Sequence, residues 1–305
     1  MAELAIEVHG LRKAYAGHEA VRGIDLEVGV GEVFGFLGPN GAGKTTTIEI
    51  LEGYRQRTGG DVRVLGIDPG HPTRAWRDRV GLVLQECELE PLLTVREALT
   101  LFASFYEHPR GLEELVDLVG LRDKVDARFG TLSGGQRRRA DVAVALVGDP
   151  ELVFLDEPTT GFDPTARREA WNMIDGLKHL GKTVFLTTHY MEEAQHLSDR
   201  VAILRAGEIV ATGRPDELGG AGPGRTVVSF GLPQGHTSEE LGRELGEQLH
   251  SSGHEVSFET GDAQDALYRL TSWAQRAGVH LAGLEARAPS LEDIFLELTG
   301  EEARS

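Results

Sequence analysis

Apolar and polar residues alternate in two segments near the start of the chain, residues 5–8 and 24–28. Alternation of this kind is typical of strands that bury one face of a sheet. The turn-forming residues Tyr15-Ala16-Gly17-His18 separate the two segments. The pattern therefore predicts an antiparallel sheet at the N-terminus.

Continuous apolar runs predict a second kind of strand. Residues 33–37 form an apolar strand that leads through glycines into a helix. Residues 152–155 and 183–187 are two further short apolar runs, flanked by helical stretches as in buried parallel strands. Residues 201–204 and 208–211, joined across Arg205-Ala206-Gly207, predict a closing hairpin. The core sheet is therefore expected to be mixed, in an α/β fold.

Helical periodicity follows the first apolar run and returns later in the chain. A helix is predicted at residues 45–52, closed by Gly53. Between about residues 88 and 148 helical spacing dominates, most clearly at 95–102 and 112–119. This stretch predicts a helical subdomain inserted into the α/β domain.

The pattern restarts after a glycine-rich break at residues 219–224, which predicts a linker. We expect a first domain over 1–218 and a small α/β accessory domain over 225–305. Its predicted strands are 226–230, 254–258 and 279–284, and its predicted helices are 238–250, 263–277 and 290–299. In the last helix Ser290 is the expected N-cap, and one apolar face holds Leu291, Ile294, Phe295 and Leu298.

A glycine-rich loop with the pattern G-x-x-x-x-G-K-[ST] lies between the apolar strand 33–37 and the helix 45–52. In such a loop backbone N–H groups converge on phosphate oxygens, and the helix N-terminus adds about half a positive charge. Lys44 adds a mobile cation and Thr45 offers a hydroxyl to Mg²⁺. The sequence therefore predicts a nucleotide site, and the alternative, a glycine turn with a chance match, does not explain the flanking elements.

Two carboxylates end the apolar strand 152–155. Asp156 at the end of a strand can reach Mg²⁺ bound to phosphates, and Glu157 can orient or deprotonate the attacking water. A solvated acidic turn is the alternative for this pair by itself. The upstream phosphate loop favours the catalytic interpretation.

A second phosphate-binding device is predicted at Leu132-Ser133-Gly134-Gly135-Gln136, directly before a helix. The arginines that follow, 137–139, are expected to make ion pairs and a solvated face, because nucleic-acid binding is unfavourable in so acidic a chain. A net charge of −18 at pH 7 argues against sequence-independent binding to nucleic acid or anionic lipid.

The compartment is predicted from what the sequence lacks. It contains one cysteine, Cys87, and no run of about 18 uninterrupted apolar residues. We therefore expect a cytoplasmic protein.

With these motifs in this order, residues 4–218 resemble the ATP-binding-cassette (ABC) ATPases. Residues 38–45 resemble the Walker A motif of that family, 152–157 the Walker B motif and 131–136 the signature. Tyr15 resembles the adenine-stacking aromatic, and Gln85 the Q-loop glutamine. The switch histidine is matched by His189, and the D-loop by residues 161–164, with Phe162 where leucine is expected.

The resemblance implies a P-loop NTPase fold and a set of site residues. The implied catalytic residues are Lys44, Gln85, Glu157 and His189. The implied ligands of Mg²⁺ are Thr45, Gln85 and Asp156. The implied ATP-binding residues are Tyr15, Gly38, Pro39, Asn40, Gly41, Ala42, Gly43, Lys44, Thr45, Thr46, Ser133, Gly134, Gly135, Gln136 and Asp163.

The family binds ATP between the P-loop of one copy and the signature of another, so the resemblance implies a head-to-tail homodimer. It also implies a separate membrane permease, which would hold the chain at the inner face of the cell membrane. Residues 289–300 are similar to the C-terminus of ABC-2 export ATPases, including the daunorubicin-resistance group. The expected function is thus an exporter ATPase, and the accessory domain is expected to be regulatory or dimer-stabilising.

Three alternatives stay open at this point. An importer ATPase would have an extracellular binding protein in its system. A soluble ABC protein acting on ribosomes or DNA would carry two cassettes or a long coiled coil, and this sequence has one P-loop and little room between Gln85 and Ser133. A P-loop kinase or GTPase would leave residues 132–136 without a role.

Overall fold

The computed structural model describes residues 3–84, 89–218, 226–287, 289–291 and 293–295. The chain divides into two compact units, residues 1–214 and 215–305. The division precedes the expected boundary at 218, because a strand at Glu208–Gly213 ends the first unit and a short helix begins at Pro215. The predicted linker 219–224 lies outside the described residues.

The first unit contains nine strands in its described part. In chain order they are β1 (Leu4–Tyr15), β2 (His18–Gly29), β3 (Val33–Leu37), β4 (Gly59–Val64), β5 (Val80–Val83), β6 (Leu152–Asp156), β7 (Thr183–Thr188), β8 (Arg200–Arg205) and β9 (Glu208–Gly213).

The helices of this unit follow the same order. They are α1 (Lys44–Leu51), α2 (Arg74–Arg77), α3 (Val95–Ala103), α4 (Leu112–Leu118), α5 (Gly134–Ala145), α6 (Pro164–His179) and α7 (Met191–Leu197). Among the described residues, no helix combines the length and the apolar character that crossing a membrane requires.

Two sheets form the body of this unit. A three-stranded antiparallel sheet has the order β2-β1-β4, and a six-stranded sheet has the order β5-β6-β7-β3-β8-β9. In the larger sheet β5, β6, β7, β3 and β8 are parallel, and β9 is antiparallel to β8. The predicted mixed core sheet and antiparallel N-terminal sheet are confirmed, whereas β4 and β5 were not predicted.

The six-stranded sheet buries both faces. One face packs against the antiparallel sheet through a cluster that includes Phe34, Phe154 and Phe185, with ring centroids 5.9 Å apart for Phe34 and Phe185. The other face packs against helices through a cluster that includes Val153 and Leu155. Burial of each such side chain contributes about 1.5–3 kcal/mol, so packing on both faces stabilises the sheet.

The second unit is a four-stranded antiparallel sheet with helices. Its elements are α8 (Pro215–Leu218), β10 (Thr226–Gly231), α9 (Ser238–Leu245), β11 (His250–Ser252), β12 (Glu255–Thr260), α10 (Ala263–Ala277) and β13 (Ala282–Arg287). The strand order is β11-β12-β10-β13. Its core includes Phe230, Phe258, Leu270 and Trp273.

Two boundaries predicted for this unit are wrong. The helix predicted at 238–250 ends at Leu245, because Gly246 adopts a left-handed conformation (φ 70°), and β11 then begins at His250. The strand predicted at 279–284 lies at 282–287. Residues 278 and 279 still belong to the end of α10, since Gly278 is its left-handed C-cap and the Val279 N–H donates to the Ala274 carbonyl.

The predicted helix 290–299 is described only at its start. Ser290 Oγ accepts a hydrogen bond from the Asp293 N–H at 3.3 Å, and an Asp293 carboxylate oxygen accepts one from the Ser290 N–H at 2.6 Å. This is the predicted cap. Leu291, Ile294 and Phe295 are buried, and Leu298 lies outside the described residues.

Candidate active site

Three neighbouring parallel strands end at one edge of the six-stranded sheet. Leu37 of β3 pairs with Thr188 of β7, and Thr187 of β7 pairs with Asp156 of β6. Ligands of open parallel sheets bind beyond the carboxyl ends of the strands. The residues that follow these ends, the loop after β3, Glu157 and His189, therefore meet at one place.

Close backbone approaches shape the loop at residues 38–43. A Cβ on Gly38 would lie 2.5 Å from the Leu204 carbonyl oxygen, and a Cβ on Gly43 would lie 2.4 Å from that of Ala20. Gly43 also has φ 107°, which L side chains rarely adopt, and is the N-cap of α1. Glycine is required at both positions, so the loop can hold a phosphate at the helix N-terminus.

Lys44 is the cation of this loop and is only 5% exposed. Its Nζ donates hydrogen bonds to the carbonyl oxygens of Gly38 at 2.7 Å and Pro39 at 3.3 Å. Burial lowers the pKa of the Lys44 ammonium, opposed by the charges of Glu157 and Asp156. Thr45 is exposed on the first turn of α1 and Thr46 half-buried.

Glu157 lies between the lysine and the histidine. Its Oε1 is 3.6 Å from Lys44 Nζ and 3.5 Å from His189 Nδ1, and its Oε2 accepts a hydrogen bond from Thr160 Oγ1 at 3.1 Å. The residue has φ 45°, in the left-handed region, and its N–H donates to Thr187 Oγ1 at 3.0 Å. A non-glycine residue in this region stores backbone strain that neighbouring contacts must support.

Asp156 is 6% exposed, and one carboxylate oxygen accepts a hydrogen bond from the Thr187 hydroxyl. Burial raises the pKa of the Asp156 carboxyl, as does the charge of Glu157, whereas Thr187, Lys44 and Arg138 lower it. A buried carboxylate of this kind is stabilised by a bound cation.

The signature residues lie on a different helix. Ser133 is the N-cap of α5, and its side chain and that of Gln136 form a reciprocal capping box. Ser133 and Gly134 are exposed, and Gly135 and Gln136 are half-buried. The N-terminus of α5 is therefore accessible to solvent at Ser133 and Gly134.

Two more of the predicted ATP-binding residues, Tyr15 and Asp163, lie at the end of a strand and at the start of a helix. Tyr15 ends β1, with Lys13 Nζ 4.9 Å and the Arg55 guanidinium carbon 5.4 Å from its ring centroid. Asp163 is the N-cap of α6 and accepts hydrogen bonds from the N–H groups of Thr165 and Ala166 at 2.9 Å. Gln85 lies outside the described residues.

Arg138 departs from the solvated face expected for residues 137–139. It is buried, and its guanidinium donates hydrogen bonds to the Leu84 carbonyl and, at 2.7 Å, to the Asp156 carbonyl. Arg139 does make an expected ion pair, with Glu169 at 3.3 Å. The position of Arg138 follows from α5 packing against β5, which the sequence pattern does not reveal.

Comparison with known proteins identifies the family. The ABC transporter profile matches residues 21–160, and a profile for the C-terminal domain of ABC transporter domain-containing protein-like sequences matches residues 226–290. A Nod factor export ATP-binding protein I of Rhizobium sp. (strain N33) is 40% identical over 309 residues, covering 99% of each chain. The chain belongs to the ABC transporter family, as one of its ATPase subunits.

Further relatives agree with this assignment. The Nod factor export ATP-binding protein I of Rhizobium etli is 38% identical over 98% of this chain and 94% of its own length. The dimeric post-hydrolysis structure of the ATP-binding cassette MJ0796 bound to ADP and Pi is 25% identical, with a TM-score of 0.61, over 68% of this chain and 98% of that one. This chain is therefore an ATP-hydrolysing cassette of the P-loop NTPase fold.

Glu52 is a buried acidic residue of the cassette that the sequence pattern did not predict. Glu52, the C-cap of α1, is 6% exposed, and no donor among the described residues lies within hydrogen-bond distance of its buried Oε1. Burial raises the pKa of Glu52 from its ordinary 4.5 to about 8, helped by the charges of Asp156 and Glu49. Its position directly before Gly53 gave no signal of burial.

This pKa predicts a pH-dependent effect of Glu52→Gln. Because the folded protein holds this proton up to about pH 8 and the unfolded chain releases it near 4.5, the stability linked to Glu52 is lost as pH rises through that window. We expect the free energy of unfolding of Glu52→Gln, relative to wild type, to rise by about 2–4 kcal/mol between pH 5 and pH 9. Urea unfolding without nucleotide measures it.

Glu27→Gln is the matched control, since Glu27 is exposed on β2. The variant makes the same Glu→Gln exchange at a solvent-exposed side chain, so it measures the effect of the exchange without the burial. Parallel pH profiles for Glu52→Gln and wild type would contradict a neutral, buried Glu52.

Proposed function

We propose that this ABC ATPase powers export through a separate membrane permease. ATP hydrolysis is supported by one observation: at the ends of β3, β6 and β7 the structure brings together four side chains, Lys44, Asp156, Glu157 and His189. The direction of transport is supported by relatives named for export that are 38–40% identical over nearly the whole chain.

Each side chain has a role that suits its position. Lys44 Nζ exchanges its bonds to the Gly38 and Pro39 carbonyls for oxygens of the β- and γ-phosphates. Glu157 accepts the proton of the attacking water, and His189 donates a hydrogen bond to the γ-phosphate. The ring of Tyr15 stacks on the adenine.

The donor set also suits Mg²⁺. Asp156 supplies a buried carboxylate and Thr45 an exposed hydroxyl on the first turn of α1, and oxygen ligands of these types are preferred by Mg²⁺. Gln85 would be a further ligand. Mg²⁺, when bound with ATP, neutralises charge on the phosphates. Thr187 keeps the Asp156 carboxylate in place through its hydroxyl.

Two copies of the chain complete each other's sites in this proposal. Ser133 and Gly134 at the start of α5 are exposed in the single chain, so they can meet ATP held by a second copy. Asp163 would lie at the same junction. A dimeric cassette among the structural relatives supports this arrangement. The pair would lie at the inner face of the cell membrane, held there by the permease.

Copurification with a permease tests the transport role. We expect the tagged chain, extracted from its own cells in mild detergent, to bring down one polytopic membrane protein in stoichiometric amount. The same chain carrying Lys44→Ala should do so as well, because the permease need not contact the P-loop. Recovery of ribosomes or nucleic acid instead, with no membrane protein, would contradict the proposal.

A further inference from the structure

A second buried carboxylate lies beside the candidate active site, and none of the roles above uses it. Glu193 on α7 is 0% exposed. Its Oε1 accepts hydrogen bonds from Thr159 Oγ1 at 2.7 Å and from Trp171 Nε1 at 3.1 Å. Burial raises the pKa of Glu193, and the hydrogen bonds from Thr159 and Trp171 oppose that effect. A carboxylate held in the core by such donors links the elements that carry them.

The three linked elements each carry a residue of the site. Thr159 lies two residues after Glu157, in the irregular segment between β6 and α6. Trp171 belongs to α6, whose N-cap is Asp163. Glu193 belongs to α7, which begins two residues after His189. Glu193 Oε1 therefore links three elements: the segment that follows Glu157, helix α6 and helix α7.

A second set of contacts reaches the histidine itself. The rings of His189 and Tyr190 have centroids 4.1 Å apart, and the Arg167 guanidinium carbon lies 4.4 Å from the Tyr190 centroid. Arg167 lies on α6, and its charge acts on Glu193. Movement of α6 relative to α7 would thus displace the His189 ring as well as Thr159.

The base needs such support. Glu157 has a positive φ, which neighbouring contacts must maintain, and its Oε1 is 3.5 Å from His189 Nδ1. Thr159 is 0% exposed, so its bond to Glu193 is shielded from water at both ends. A displacement of a catalytic group by about 1 Å can reduce a rate about a hundredfold.

We propose that Glu193 is a positioning residue for ATP hydrolysis, whose carboxylate fixes Glu157 and His189 relative to each other through Thr159 and Trp171. This rests on the roles proposed above for Glu157 and His189. ATP binding itself should be unaffected, because the P-loop and α1 take no part in these contacts.

The test compares kcat and KM for ATP in the full chain. Thr159→Val removes the hydroxyl and keeps the shape, and we expect kcat to fall at least about tenfold with KM within about twofold of wild type. Thr159→Ser restores the hydroxyl and should restore most of kcat. Glu193→Ala should lower kcat at least as far, and adding Thr159→Val to it should cost little more, since the shared bond is already lost.

Thr183→Val is the matched control. Thr183 is also buried, at the opposite end of β7, where its hydroxyl accepts a hydrogen bond from the Gly31 N–H at 2.9 Å. It should leave kcat within twofold of wild type. Should Thr159→Val not fold, Trp171→Phe, which removes the indole donor to the same oxygen, is measured in its place, with the same expectation of a lower kcat at unchanged KM.

A kcat for Thr159→Val within twofold of wild type, or a loss that Thr159→Ser does not restore, would overturn the positioning role. A proportionate rise in KM would also overturn it, because that result indicates general damage to the cassette. Glu157→Gln, measured in parallel, separates the two proposals: if it loses turnover while Thr159→Val does not, only the positioning role fails.

Discussion

Glu157→Gln should bind MgATP as wild type does and hydrolyse it at least about a hundredfold more slowly. Glutamine has the same size and can still accept the hydrogen bond from Thr160 Oγ1, so the loop geometry is kept. What is lost is the negative charge that receives the proton of the attacking water. Steady-state ATPase rates and equilibrium nucleotide binding measure the two effects separately.

The same variant should accumulate as a dimer in the presence of MgATP, because ATP that is not hydrolysed keeps the two copies together. Sedimentation velocity with and without nucleotide detects this state. Glu192→Gln, at an exposed position on the first turn of α7, is the matched control and should keep wild-type turnover. A near wild-type rate in Glu157→Gln would remove Glu157 as the base.

Elements with a strong local pattern could be predicted from the sequence. Strands β3, β6 and β7 are continuous apolar runs, and helices α3 and α4 keep helical spacing of their apolar residues from end to end. The local sequence is therefore enough to predict the type of each of these elements. Strand β4, Gly59–Val64, could not be predicted in this way, because Gly59-Gly60-Asp61 precede its only two buried residues, Val62 and Val64. Its pairing with β1 decides its structure.

The residues of the candidate site also fall into those that the local sequence predicts and those that it does not. Residues within contiguous motifs, such as Lys44, Glu157 and Ser133, could be named because the chemistry needs them at fixed spacing. Arg138 and Glu193 could not, since their partners lie far away in the sequence: Asp156 is 18 residues from Arg138, and Thr159 is 34 from Glu193. Only the packed fold brings those partners together, and it decides which of several arginines or glutamates is buried.

Lys44→Ala and Ser133→Arg should each abolish ATP hydrolysis, and an equal mixture of the two inactive proteins should recover about a quarter of the wild-type rate. Half of the dimers in such a mixture combine one chain of each kind. In a head-to-tail pair one site then holds both lesions and the other holds neither, because the P-loop and signature of a site come from different chains.

The structure explains why each substitution damages only the part of a shared ATP site that its own chain supplies. Lys44 Nζ is buried in its own loop beside Glu157, whereas Ser133 is exposed at the start of α5. Loss of the Ser133 cap costs about 1 kcal/mol, so Ser133→Ala controls for the cap without the added bulk and charge. Mixing requires that dimers exchange, which differently tagged chains can demonstrate by co-capture. Mixed dimers that form and remain inactive would show either that a site is not shared between copies or that hydrolysis requires both sites intact.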